Sequence, residues 1–502
     1  MKTSTVVATV TWWLCVGTHS FAQPARQITP LSGPQAAPFQ PTHPIVIVGG
    51  MMIDGSGSAP KQDQALVIRG ERIEWIGPMG EVTIPESAEV IDATGMTVMP
   101  GLINGNGYVT LRGIYPAPAA NLTRAEFESR WNETWSGWEK RAWLWLMRGV
   151  TGIRNSSGPL SRVRSMKQAI DSGQVAGPRI YMGGTLIFSE PHFKFWTRNT
   201  PDPKAVDWMR NEFAFTVVKD PDRDTDPLVA EDIRYWKFYL SDQPWDGKNE
   251  FTDQELKFMF DKAHRHGIRV DLHSGVHMGR AVPLGVQTVQ HPFLREHLVE
   301  PEVIQSFVRM GTYASTCLTQ VVVVPQFAAD PHHFNDTLYS SSLTPEEYRV
   351  LMRYRDRMLW NLQHPAEPGL LIGDPQPFAA RGALSFNEQQ KQRQTARENM
   401  HRFIEAGVKF WMATDSEAFL NFQQENPDAN EMRYMVELGM SPMEAILAST
   451  RNGAEALGIL DQVGTLEAGK LADVIIVPGN PLADLEVMKR VFVTIKGGVR
   501  YK

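Results

Sequence analysis

Within residues 233–293, three strand-like pieces each carry one side chain that could serve a metal ion: Lys237, His273 and His291. Each falls in a short apolar run, IRYWKFYL, IRVDLH and VQTVQH in turn. Neutral imidazole is a good ligand for zinc and related divalent ions, which also take anionic oxygen. Such an ion lowers the pKa of bound water to ~7 and polarises a carbonyl, as amide or ester hydrolysis at neutral pH requires. Taken singly, each residue has a plainer use: a strand-end histidine is commonly a hydrogen-bonded structural group, and a lysine is a solvated charge. Lys237, however, stands between Trp236 and Phe238, where an unpaired ammonium is costly. The three are therefore expected to meet at one metal ion. His264, His266 and His277 fall on expected helices or loops and are read as surface or supporting residues, and His332 and His333 as loop surface.

Between the three runs the spacing turns helical, with Leu256, Met259, Phe260 and Ala263 on one face. Strand–helix–strand–helix–strand is the rhythm of parallel α/β architecture, and in a closed barrel the C-terminal strand ends gather at a common site. From Pro44 to residue 100 the pattern is instead β, with a hairpin turn expected at Arg69-Gly70-Glu71-Arg72. The last forty or so residues answer with GKLADVIIVPGNP and KRVFVTIKGGVRYK. Both chain ends are expected to share one small β domain.

The chain has 502 residues, a net charge of −6 and no long basic run, which argues against a nucleic-acid surface. Residues 1–22 combine Lys2, an apolar run over 6–16 and a Ser20-Phe21-Ala22 end, as in a secretory signal cut after Ala22. This makes the protein secreted or periplasmic, with no membrane partner after cleavage. Residues 23–43 read as a flexible spacer rich in Pro, Gln and Ala. Of the two cysteines, Cys15 lies in the leader, so Cys317 is left without an internal disulfide partner. The cluster of tryptophans over 131–145 reads as core packing, with an aromatic cleft as the alternative. The segment 188–229 is either a cap over the barrel mouth or a structural insertion.

Several further motifs fall in order: Val98-Met99-Pro100-Gly101-Leu102-Ile103, Gly149-Val150-Thr151-Gly152-Ile153-Arg154, Gly177-Pro178-Arg179-Ile180, Ala413-Thr414-Asp415-Ser416, Ser441-Pro442-Met443-Glu444-Ala445 and the run Gly464 to Asp473. With the Lys237, His273 and His291 strands, they resemble the metal-dependent amidohydrolase superfamily, in its imidazolonepropionase- and dipeptidase-like branch, from about residue 44 to the end. The resemblance implies a distorted (β/α)8 barrel over 101–458, beside a β-sandwich made of 44–100 and 459–502. It implies a divalent metal, with zinc the expected one, carboxylation of Lys237 to a carbamate, and Asp415 as the residue that takes a proton from the attacking water and gives it to the leaving group. General acid–base action of this kind is worth ~10²–10⁴-fold.

Two departures stand out. The family's His-x-His pair on the first strand is replaced by Asn106 and Tyr108. An amide oxygen contacts a cation weakly and a phenol poorly, so residue types predict one metal rather than two. The region after Asp415, Pro427-Asp428-Ala429-Asn430-Glu431-Met432, also differs from the family's substrate-contacting pattern. The expectation is a metal-dependent hydrolase acting on a small molecule at a non-peptide C–N bond or a dipeptide-like amide. A catalytically inactive binding protein of the same fold, and a lactone or ester hydrolase, are the alternatives. Homo-oligomer formation is left open.

Overall fold

The computed structural model describes residues 43–108, 137–156, 158–197, 215–230, 233–240, 250–273, 275–318, 385–416 and 426–502, with a few isolated positions between them. The expected leader, the spacer up to residue 42, Trp131, Trp135, His332 and His333 lie outside the described residues.

The β-patterned N-terminal region forms β1 (Ile45–Met52), β2 (Lys61–Arg69), β3 (Arg72–Pro78), β4 (Glu89–Asp92) and β5 (Met96–Pro100). The expected hairpin joins β2 to β3, with Arg69 paired to Arg72 and Gly70 at φ 57°, a left-handed turn that suits glycine.

The barrel region follows. It contains β6 (Leu102–Gly107), β7 (Val150–Asn155), β8 (Arg179–Met182), β9 (Leu186–Ser189), β10 (Phe215–Val218), β11 (Tyr235–Tyr239), β12 (Arg269–His273), β13 (Thr288–Gln290), β14 (Tyr313–Ser315) and β15 (Phe410–Trp411). Parallel pairing runs β6–β7–β8 and β9–β11–β12–β13–β14–β15. The arcs are joined at both ends. Arg234 N–H donates to Met182 O at 3.4 Å, and Gly107 forms a parallel bridge with Ser416, just past β15. The third position of the ring is thus a broken strand, β8 then β9. The break is at Gly183-Gly184, where a Cβ on Gly184 (φ +67°) would lie 2.8 Å from Tyr235 O. β10 pairs with β9 outside the ring.

Helices precede the strands as the periodicity predicts. Asp253–Arg265 buries Leu256, Met259, Phe260 and Ala263, and starts with a Thr252–Glu255 capping box. Phe386–Glu405, capped by Ser385 and Glu388, leads into β15. Between the second and third runs, where the spacing also predicts helix, residues 278–285 form only a single turn, Met278–Ala281, which continues as a 3-10 turn containing Pro283. Among the described residues no helix is long and apolar enough to cross a membrane.

The C-terminal strands β16 (Val474–Pro478), β17 (Val493–Lys496) and β18 (Val499–Arg500) return to the first region, where β16 pairs antiparallel with β5. Both chain ends therefore build one sheet, whose core packs Ile47, Leu66 and Ile73 against Val474, Ile476 and Ile495.

Candidate active site

The strand register decides which side chains can meet. Lys237 pairs with Asp271 and Tyr239 with His273 across β11 and β12. Lys237 is thus in the middle of its strand and below His273, which ends β12. Its amine is buried and donates to Ser156 Oγ, one residue past β7. Burial outweighs the attraction of Asp271 and lowers the amine's pKa to about 8, which makes the neutral form accessible.

His273 and His291 stand edge to face, ring centroids 4.9 Å apart. Burial, reinforced by the charge of Lys237, holds both imidazoles below their usual range, in the neutral form that binds metals. His291 directly follows β13 at φ 53°, and its Nε2 is 3.8 Å from Asp415 Oδ2. Asp415 is also at φ 53°, and Cys317, past β14, at φ 42°. Three consecutive strand ends thus carry non-glycine residues in the sparsely populated left-handed region, a kind of strain that collects at functional sites.

Asn106, at the position where a histidine was expected, donates from Nδ2 to Asp415 Oδ1 at 3.0 Å, and its Nδ2 is 3.9 Å from Cys317 Sγ. Tyr108 is buried nearby in the chain. Asn106 Oδ1 and His273 Nδ1 are buried without a hydrogen-bond partner among the described residues. Such orphaned acceptors call for an explanation, and a cation is one. No group of three His, Cys, Asp or Glu residues among the described ones suffices for a metal site. The donor set fits an ion when two neutral imidazoles are joined by oxygen carried on Lys237.

Beneath these residues lies a buried polar layer that the sequence reading missed. Arg154, on β7, pairs with Asp271 at 2.8 Å, both side chains fully buried, and its Nε donates to Gly105 O at 2.7 Å. Asp271 also accepts from Thr288 and Gln290, and Arg154 lowers its pKa against the effect of burial. Arg154 and Ser156 share a face of β7 by simple alternation, a signal present in the sequence.

A second unforeseen group lies within 188–229. His192, on the short helix Glu190–Thr197, donates from Nδ1 to Tyr239 O at 3.0 Å and is 3.3 Å from Glu250 Oε2. Its ring stacks on Tyr239 (5.6 Å), and the Tyr239 ring stacks on His273 at 4.2 Å and 15°. This part of the segment therefore supports the His273 ring.

The remaining histidines divide. His264 is exposed and meets Gln287, and His266 is exposed, whereas His277 is buried beside Arg280. Residues 427–432 open the helix Pro427–Glu437, with Asp428, Asn430 and Glu431 all buried. Asp428 accepts from Asn104 Nδ2 at 2.8 Å, and Glu431 accepts from Leu318 N–H at 2.6 Å. These carboxylates tie the helix to β6 and to the segment after β14.

Known proteins give an independent view. The solved structure of a Xaa-Pro dipeptidase with bound methionine in the active site has a TM-score of 0.65 and 23% identity, covering 91% of this chain and 100% of that one. Molinate hydrolase gives a TM-score of 0.66 at 23% identity, covering 92% of this chain and 95% of that one. At such identities the likeness concerns the fold. The imidazolonepropionase of Pseudomonas syringae pv. tomato is 31% identical over 116 residues, covering 19% of this chain and 29% of that protein. The chain spans from 9% to 29% of the lengths of the curated relatives it matches. A family model described as the amidohydrolase family matches residues 145–500. The chain belongs to the amidohydrolase family, whose members are hydrolases that generally use divalent metals.

Proposed function

We propose that the protein hydrolyses an amide, cyclic amide or dipeptide-like C–N bond in a small molecule, using one divalent ion. The observation that carries this reading is the edge-to-face pair His273–His291, beside Asp415 and above the buried Lys237 amine. Lys237, His273 and His291 would hold the ion, zinc being the first choice for imidazole and oxygen donors. Lys237 in its neutral form can add carbon dioxide and release a proton, and the resulting carbamate offers anionic oxygen. When bound, the ion supplies an acidified water and a polarised carbonyl.

The protein's own groups do the rest. Asp415 is aimed by the Asn106 amide through one oxygen, and its other oxygen faces His291. It takes a proton from the attacking water and passes it to the departing nitrogen, which must leave as a neutral amine. Tyr239 and His192 keep the His273 ring at one angle. The Arg154–Asp271 ion pair lies beside Lys237, on the neighbouring strand. Asn106 binds Asp415 in place of a second histidine set, which supports a single ion.

Incubating the purified protein with N-acyl amino acids and anilides, and assaying released amine, tests this function. Amine release that is lost in Asp415→Asn is expected. Hydrolysis confined to lactones and esters, or no turnover of any of these, would reject it.

A further inference from the structure

A second amide on β6, Asn104, is buried two residues before Asn106 and uses every hydrogen-bonding position it has. Its Nδ2 donates to Thr414 Oγ1 at 2.7 Å and to Asp428 Oδ1 at 2.8 Å. Its Oδ1 accepts from the N–H of Asn106 at 3.0 Å and from that of Thr414 at 3.4 Å. One side chain thus joins β6, the segment just past β15 and the helix Pro427–Glu437. Two N–H groups on one side and the Asp428 carboxylate on the other allow only this orientation of the amide, because a flip would set donor against donor.

The groups it grips flank Asp415. Thr414 Oγ1 also accepts from Ser416 N–H at 3.3 Å, so its own hydrogen is left for Ser416 Oγ, and Ser416 bridges to Gly107 of β6. Asp415 itself is at φ 53°. A non-glycine residue keeps such a conformation only where the bonds around it enforce it. Asp428 supplies the fixed end. Burial pushes its carboxyl up to about 6, with the Asn104 bond acting the other way, so above that pH the pair is an amide donor and an ionised acceptor. Three residues along the same helix, Glu431 accepts from Leu318 N–H at 2.6 Å, beyond β14. The helix therefore holds the chain on both sides of β15.

We propose that Asn104 and Asp428 are positioning residues for the acid–base carboxylate. The pair clamps β6 to the segment after β15, and so sets Asp415 and its Asn106 partner at the angle that proton transfer needs. The part played in proton transfer rests on the hydrolase reading above, whereas the clamp itself does not require turnover.

Exchanging the pair tests this on the metal-loaded protein. Asn104→Asp sets two buried carboxylates face to face, and Asn104→Asp with Asp428→Asn restores one donor and one acceptor with their places reversed. At about pH 8, on N-acetyl-L-phenylalanine and its p-nitroanilide, Asn104→Asp should lower kcat by roughly ten- to a hundredfold with KM within about twofold, and the double variant should recover most of that loss. Hydrogen–deuterium exchange over residues 102–107 and 410–416 should quicken in the single variant and slow again in the double one. Thermal melts show which variants fold, and Asp428→Ala, which removes only the acceptor, should repeat both effects where Asn104→Asp does not fold. Unchanged kcat or unchanged exchange in a folded Asn104→Asp or Asp428→Ala, or a double variant no better than Asn104→Asp, would overturn the proposal. No amine release by wild type from any N-acyl amino acid or anilide would instead reject the hydrolase reading, and the exchange rates would then decide the clamp by themselves.

Discussion

Asn106 and Asp415 are bonded twice across the seam where the barrel closes: the Asn106 amide donates to Asp415 Oδ1 at 3.0 Å, and Asp415 N–H donates to Asn106 O at 2.8 Å. The side-chain bond favours the ionised carboxylate, and the backbone bond holds Asp415 in its left-handed conformation. A residue that a metal-ligand pattern would count as lost thus has a task of its own.

The first prediction follows from that bond. Asn106→Ala should lower kcat by roughly tenfold and leave KM nearly unchanged, since a hydrogen bond to a charged group is worth ~1.5–3 kcal/mol. Asn106→Asp sets two carboxylates side by side, so one pKa rises and the acid limb of the pH–rate profile should move up. Steady-state kinetics across pH checks both. An unmoved acid limb in Asn106→Asp would separate Asp415 from the chemistry.

The second concerns the fully buried pair Arg154–Asp271. Removing one partner, as in Arg154→Met, leaves a buried charge uncompensated and should cost ~3–5 kcal/mol in denaturant unfolding. Replacing both, Arg154→Met with Asp271→Leu, should recover much of that loss while activity stays low, because Lys237 loses its neighbouring charges. Recovery of activity along with stability would make the pair scaffolding only.

The third is a pH dependence of the metal-free, carbon dioxide-free protein. The folded Lys237 amine titrates at about 8 against an ordinary value of 10.5. Between these values the unfolded chain binds more protons than the folded one, so stability should rise with pH across that window, by an amount on the order of 1–3 kcal/mol. Below about pH 8 this contribution is flat, with the full cost of the buried ammonium present. Urea unfolding at a series of pH values should show the rise in wild type and its absence in Lys237→Met.

The candidate site residues were readable as a set because His273, His291 and Asp415 each end or follow an apolar run of strand length and Lys237 sits inside another. The β pattern at both ends likewise anticipated a shared sheet, since neither end alone holds enough strands to cover its apolar face. Other features depend on register between distant segments. Nothing local reveals that Arg154 meets Asp271, or that His192, just after β9, holds Tyr239 against His273. The helix over 278–285 was misjudged because its apolar spacing ignores Pro283, which shortens it to one turn. Residues 427–432 departed from the family's substrate-contacting pattern, and their buried carboxylates bond instead to Asn104 in β6 and to Leu318 beyond β14, partners that residue type alone does not reveal.

The central claim is that Lys237, His273 and His291 together bind one ion that hydrolysis needs. Mass-spectrometric metal analysis of the purified protein, in parallel with His273→Ala and Lys237→Met, tests it most directly. One equivalent of divalent metal per chain in wild type, falling towards zero in both folded variants along with amine release, is the expected result. A wild-type protein with no metal or with two equivalents, or variants that keep the full complement, would contradict it.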